Sequence, residues 1–346
     1  MRNDFVINGR QVKAGSREIV NIRLPALHSD ATVIMPVHVI HGLKDGPTLF
    51  ISAAVHGDEI NGVEIIRRVL DFSAINGLKG TLLAIPAVNV FGFDSHSRYL
   101  PDRRDLNRSF PGREQGTLAG RLANTFMTEI VDRSDIGIDL HSAAIHRDNL
   151  PQIRADLNDK QLSTVAKTFT TPVLLHSAPP EGSLRYAAAR ENVPVMVYEA
   201  GEALRFDETS IDVGVKGILG VLKELGMLHK SRSKKIESPV LLSSSSWVRA
   251  TRSGILRAQV KLGDKVSKGD SLGLIGDLTG QVEEVVTASS DGVIIGRTNI
   301  PLIYEGDALF HIGRTKQGVI AEDRLDNTQS GNTLTAPEIF EEPNIV

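Results

Sequence analysis

Cysteine is absent from all 346 residues, which excludes disulfides, thiolate metal sites and cysteine nucleophiles. Aromatic residues are sparse at 5%, with a single tryptophan. No charge sign dominates either: 39 Lys and Arg face 42 Asp and Glu, a net of −3, so no broad basic field points to a nucleic-acid partner. Long hydrophobic runs are missing as well. Thr48–Val55 and Pro194–Tyr198 are far too short to span a bilayer, and the N-terminal MRNDFVINGR has no secretory h-region. These absences lead us to expect a cytoplasmic protein with neither nucleic-acid nor membrane partners. What is present, 41% hydrophobic and 23% charged residues, suits a soluble globular chain of about two domains at roughly 150 residues each.

The first 45 residues alternate apolar and polar positions between Gly and Pro, as in Asp4–Ile7 and Ala31–Ile40, and read as short antiparallel strands. From Gly46 the pattern changes to strands alternating with helices. Strands are expected at Thr48–Val55, Gly80–Val88, Ile136–Leu140, Val173–His176 and Val195–Glu199. Helices are expected at Ile60–Leu70, about 117–132, near 159–169, from Ser183, and near 208–228, with a polar loop over Asn89–Gly116. This alternation defines an α/β domain around a parallel or mixed sheet, residues 1–229 including the N-terminal strands. Residues 230–246, first KSRSKK and then SSSS, read as a linker.

Residues 247–314 lack any helical period. Gly254-Ile-Leu and Gly269-Asp-Ser-Leu recur as Gly292-Val-Ile and Gly306-Asp-Ala-Leu, at offsets of 38 and 37 residues. Two such halves predict a small pseudo-symmetric β-sandwich or barrel. GDKVSKGDSL resembles the opening turn of a biotinyl/lipoyl-like module, but the hairpin Gly276–Glu284 has no lysine to carry a swinging arm. Residues 315–346 are polar and slightly acidic and read as a tail.

With no thiolates, the ten histidines are the soft ligands to place. His56-Gly-Asp-Glu59 follows an apolar strand and precedes a helix, and Asp139-Leu-His141 ends another strand; α/β proteins place sites at such strand ends. His56, Glu59 and His141 would make a two-histidine, one-carboxylate zinc set with a position left open for water, and Asp139 could support it. Between them lies an arginine-rich loop. Its Asn107 and Arg108 can clamp a carboxylate through an amide and a guanidinium fork, while another arginine can stabilise an oxyanion. Glu199 ends a buried strand, an expensive place for an acid unless it serves as a general base. Glu202 reads as a surface charge. The string Gly269-Asp-Ser271-Leu-Gly273 has no helix after it to form a nucleophile elbow, against a serine esterase.

HGDE, DLNRSFPG, DLHS and YEAGE, in that order, resemble the aspartoacylase/succinylglutamate desuccinylase family of the zinc carboxypeptidase-like group, over about Leu49–Gly226. The resemblance implies a mixed-sheet zinc carboxypeptidase-like domain with a smaller C-terminal all-β, barrel-sandwich-like domain. It implies one Zn2+ on His56, Glu59 and His141, substrate carboxylate on Asn107 and Arg108, and Glu199 as base and later proton donor. The family's oxyanion arginine matches Arg98 of Arg98-Tyr99, with Arg103 and Arg104 as rivals because the gap to Asp105 is two residues longer. The expected activity is removal of the acyl group from a small N-acylated amino acid, in a homo-oligomer. A metallocarboxypeptidase and a non-catalytic zinc-binding module are the competing readings.

Overall fold

The computed structural model describes residues 2–26, 28–229, 238–280 and 283–315. A hairpin of β1 (Phe5–Ile7) and β2 (Arg10–Val12) precedes β3 (Ser16–Leu24) and β4 (Val33–His41). There follow β5 (Thr48–Ala53), α1 (Asn61–Leu70), β6 (Thr81–Ile85), α2 (Val90–Asp94), α3 (Leu118–Glu129) and β7 (Ile136–Ala143). Then come β8 (Arg147–Ala155), α4 (Lys160–Lys167), β9 (Val173–His176), α5 (Leu184–Arg190), β10 (Val195–Glu202) and α6 (Glu208–Glu224).

The main sheet runs β8-β10-β7-β5-β6-β4-β3. Strands β10, β7, β5 and β6 are mutually parallel, while β8, β4 and β3 run antiparallel to their neighbours on this path. Every residue of β5, β6 and β7 is buried, because helices and strands cover both faces; their apolar runs are continuous for that reason. One face packs on α1, α4 and α6 through Ile65, Ile66, Leu162, Ile218 and Leu222. The other packs on α3 and α5 through Leu122, Phe126, Leu184 and Ala187. Side-chain caps set most helix starts: Thr117, Asp159, Ser183 and Asp207 each accept a backbone N–H of the first turn of α3, α4, α5 and α6.

Two expectations change within residues 1–229. Strand β8 goes unread in the sequence, although it lies centrally, beside β10. The polar stretch Asn89–Gly116 contains α2 and a 3-10 turn at Leu106–Arg108.

Beyond residue 237 come β11 (Val240–Leu242), β12 (Ser244–Arg249), β13 (Gly254–Ala258), β14 (Lys265–Val266) and β15 (Ser271–Gly276). The last are β16 (Glu283–Thr287), β17 (Gly292–Thr298), β18 (Leu302–Ile303) and β19 (Ala308–Arg314). The stretch expected as a linker contains β11 and the start of β12. β11 adds to β9 in parallel, and the serines of β12 pair with β19, whose ladder satisfies the backbone that serine side chains would otherwise draw into turns. KSRSKK, at 230–235, and the tail from 316 lie outside the described residues.

The repeat is visible as swapped pairing. β14 of the first half pairs with β17 of the second, and β18 of the second pairs with β13 of the first. Leu256, Leu272, Ile275, Ile294, Leu309 and Phe310 fill the core of these antiparallel sheets. β17 also pairs with the N-terminal half of β8, so the main sheet runs on into the C-terminal β unit.

Candidate active site

The C-terminal ends of three adjacent strands converge. Register sets His141 of β7 opposite Glu199 of β10, and Ser52 of β5 opposite Asp139 of β7. His56 and Glu59 follow β5 in the tight connection to α1. There Gly57 packs so close to the backbone of α2 that a Cβ would lie 2.0 Å from the Gly92 carbonyl carbon. His56, Glu59 and His141 are all buried, and their ligand atoms lie within 4.8 Å of one another.

Hydrogen bonds fix each of the three. Glu59 meets His56 Nδ1 through Oε1 and His141 Nδ1 through Oε2, both at 2.7 Å, and Oε2 also accepts from Ser142 N at 3.1 Å. His141 Nε2 meets Asp139 Oδ2 at 2.7 Å, and Asp139 Oδ1 accepts from Ser52 at 2.8 Å. His56 Nε2 meets Asp105 Oδ1 at 3.1 Å.

Burial opposes charge on His56 and His141, yet Glu59, Asp105 and Asp139 raise both imidazole pKa values above the usual one. Burial likewise opposes charge on Glu59, and the two imidazoles nevertheless hold its carboxyl well below the ordinary range. Two imidazoles facing one carboxylate, with two further carboxylates behind, are a donor set that fits a divalent metal ion.

A cavity of about 290 Å³ opens over this cluster. Arg98, Asn107, Arg108 and Glu199 all line it. Arg98 donates to Glu59 Oε1 at 3.2 Å and to Asp105 Oδ2 at 3.0 Å. Of its rivals, Arg103 is exposed and Arg104 is exposed beside Asp102, and neither reaches the cavity. Asn107 Oδ1 accepts from Leu184 N at 2.9 Å, so what that side chain can offer a ligand is its NH2 group. Arg108 Nη1 donates to the Asn107 carbonyl. Glu199 Oε2 accepts from Asn149 Nδ2 at 2.9 Å, and Oε1 lies 3.4 Å from Arg154 Nη1. Glu202 points elsewhere, accepting from His146 N and Asn299 Nδ2 and pairing with Arg205.

Several lining residues had no place in the sequence reading. Asn149 and Arg154 come from the unread β8, Arg185 from α5, and Trp247 and His311 from the C-terminal β unit. Asp105, read only as part of the arginine loop, binds His56, Arg98 and the Asn107 N–H together. The available signal was the polar residues of β8 placed among apolar ones.

These features define a buried, metal-competent site at the strand ends of a mixed α/β sheet. Residues 45–225 match the succinylglutamate desuccinylase/aspartoacylase catalytic domain, and the chain belongs to that family. The N-alpha-acetyl-L-2,4-diaminobutyric acid deacetylase of Halomonas elongata is 25% identical over 304 residues, covering 83% of this chain and 89% of the relative. The product-bound ectoine utilization protein EutE (DoeB) of Ruegeria pomeroyi superposes with a TM-score of 0.81 at 26% identity, covering 91% of this chain and all of that one. A succinylglutamate desuccinylase/aspartoacylase from Rhodobacter sphaeroides shares the fold, with a TM-score of 0.78 at 24% identity over 86% of this chain and 95% of its own. Among the described residues no helix is long and apolar enough to cross a membrane.

Proposed function

We propose that the chain is a zinc-dependent amidohydrolase that removes the acyl group from a small N-acylated amino acid. The observation that carries this reading is the convergence of His56, Glu59 and His141 beneath one cavity that Glu199, Arg98, Asn107 and Arg108 also line. The Halomonas deacetylase, alike over most of its length, supports the substrate class. His56, Glu59 and His141 would hold the zinc ion, which would supply a Lewis acid for the scissile carbonyl and acidify water.

The protein groups divide the remaining work. The Asn107 NH2 group and the Arg108 guanidinium bind the amino acid's carboxylate and so orient the amide bond. Arg98, anchored on Glu59 and Asp105, presents positive charge where the carbonyl oxygen becomes anionic. The Glu199 carboxylate accepts the proton of the attacking water and returns it to the departing nitrogen. Asn149 and Arg154 hold that carboxylate in place.

In this reading residues 1–229 carry the chemistry, and 247–314 close the cavity with Trp247 and His311. Such a wall suits a small substrate better than the C-terminus of an extended peptide. A set of three protein ligands suits a catalytic zinc better than a structural one, which normally takes four. The test is a panel of N-acetyl and N-succinyl amino acids incubated with the zinc-loaded chain, with free amine as readout. Release of amine supports the reading; full zinc occupancy with no release from any member sinks it.

A further inference from the structure

Two strand irregularities flank Asn149, the residue that bonds the proposed base. In β8, Gln152 pairs with Glu199 and Asn149 with Gly201, so Leu150 and Pro151 share the single residue Ala200 of β10. In β17, Ile294 pairs with Ile312 and Gly296 with His311, so Ile295 is an extra residue against β19. Each is a β-bulge, a device that re-aims side chains beside active sites.

The first bulge changes which face of β8 meets the cavity. Asn149 and Arg154 are five residues apart and would point to opposite faces of a regular strand, where side chains alternate. The extra residue lets both line the cavity. Asn149 Nδ2 donates to Glu199 Oε2 at 2.9 Å, and Arg154 Nη1 lies 3.4 Å from Oε1. Gln152 fastens this bulge to the second one. It is fully buried, and its Nε2 donates to the Leu150 carbonyl at 3.2 Å and the Ile295 carbonyl at 3.0 Å, one bulged residue in each strand.

The second bulge brings Gly296 opposite Asn149. Gly296 is buried mid-strand, where glycine weakens a sheet, and its φ is not positive, so its backbone conformation does not call for glycine. Space does. A Cβ there would lie 2.8 Å from Asn149 Oδ1 and 3.3 Å from His311 Cβ. The His311 ring is stacked on Trp247 at 4.5 Å, so the Asn149 carboxamide is the neighbour free to yield. Yielding would turn its NH2 group away from Glu199.

We propose that Gly296 and Gln152 are positioning residues for Glu199 that act through Asn149, so that the C-terminal β unit aims the base as well as walling the cavity. This rests on the deacylase reading above, with Glu199 as base, and deepens it. The space left at Gly296 admits the carboxamide in the one orientation that holds Glu199, and Gln152 keeps the two bulges in step.

The test is a cycle of single and double substitutions in the zinc-loaded full chain, assayed on the panel member that wild type turns over fastest. Asn149→Ala and Gly296→Ala should each lower kcat on the order of 10-fold, the scale of one hydrogen bond to a charged group, with KM and zinc content little changed. Melting temperature should hold in Gly296→Ala, because the atom displaced is the far end of one side chain. In the double variant kcat should equal that of Asn149→Ala alone, since the new Cβ then has no carboxamide to displace. A glycine with a merely structural role would give losses that multiply, to about 100-fold, along with a lowered melting temperature. That result overturns the proposal, as does wild-type kcat in Gly296→Ala.

Gln152→Met goes through the same cycle and carries the test should Gly296→Ala not fold. Its kcat loss should also vanish in the Asn149→Ala background, and multiplied losses overturn its role. Glu199→Gln, assayed alongside, separates this inference from the reading beneath it. A large loss there with none in Asn149→Ala overturns the positioning alone. Wild-type kcat in Glu199→Gln overturns the base assignment and the positioning with it, and no turnover of any panel member by wild type overturns both.

Discussion

At the scale of single residues, Glu199 is the sharpest test of the mechanism. Glu199→Gln keeps the shape, but its one oxygen can accept from Asn149 or from Arg154, not both. The stability loss should be about 1 kcal/mol, the scale of one hydrogen bond. The amide cannot take a proton from water, so kcat should fall by on the order of 10²–10⁴ with zinc content unchanged. Glu202→Gln is the control, because Glu202 bonds His146 N and Asn299 and lies away from the cavity; a large kcat loss there and none at Glu199 would transfer the base. Zinc content checks the metal set: His141→Ala should lose most of it, and full occupancy in that variant would rule out the triad. For Arg108→Lys, which keeps the charge and loses the fork, KM should rise strongly with the fold intact. A KM equal to wild type would remove Arg108 from carboxylate recognition. Residues of this kind were legible because their spacing is local: His56 and Glu59 lie on one turn, Asn107 and Arg108 are neighbours, and His141 and Glu199 end apolar strands. Arg185, Arg154 and His311 were not, since each reaches the cavity only through the fold.

At the scale of elements, most strands of the central sheet and the longer helices followed from apolar pattern, while β8 did not. Its sequence, RDNLPQIRA, places Pro151 mid-strand and polar residues at buried positions. Asn149 is buried because it bonds Glu199, and Gln152 because its Nε2 donates to the Leu150 and Ile295 carbonyls. Those polar groups serve the site and the neighbouring β unit, so the alternation that marks a strand is lost. The connection between β5 and α1 has the opposite character, with a readable motif and a hidden constraint. Gly57 lies against the backbone of Gly92, where a Cβ has no room and no flexible side chain can yield. Gly57→Ala should therefore cost about 1–3 kcal/mol by overpacking and pull His56 and Glu59 out of register with His141, weakening zinc binding as well. Wild-type melting temperature and zinc affinity in that variant would show that the loop tolerates the shift.

At the scale of the whole molecule, the repeat disclosed a β unit, but nothing in it announced that β17 joins the main sheet. That join sets Gly296 opposite Asn149, so the unit abuts the residue that holds Glu199. His311 lies in this region, and its titration reports on the join. Burial first, and then the charge of Arg154, hold its pKa down to about 3, against 6.5 for an ordinary histidine. The unfolded chain thus binds the proton more readily, and the stability contributed by the neutral imidazole is complete above pH 6.5 and lost as pH falls toward 3. Asp148 works in the other direction: burial, followed by the charge of Asp207, raises it to about 6, so its contribution is lost as pH rises through that value. His311→Phe keeps a flat ring against Trp247, removes the first effect and leaves the second. Between pH 7 and pH 5, wild type should lose about 2 kcal/mol more stability than His311→Phe, since only its unfolded state gains the His311 proton. Thermal or denaturant unfolding of both full chains with chelator present, so that metal release does not enter, measures the difference. Parallel stability curves for the two proteins would show that His311 is not held neutral at this join, and the C-terminal wall of the cavity would then have to be redrawn.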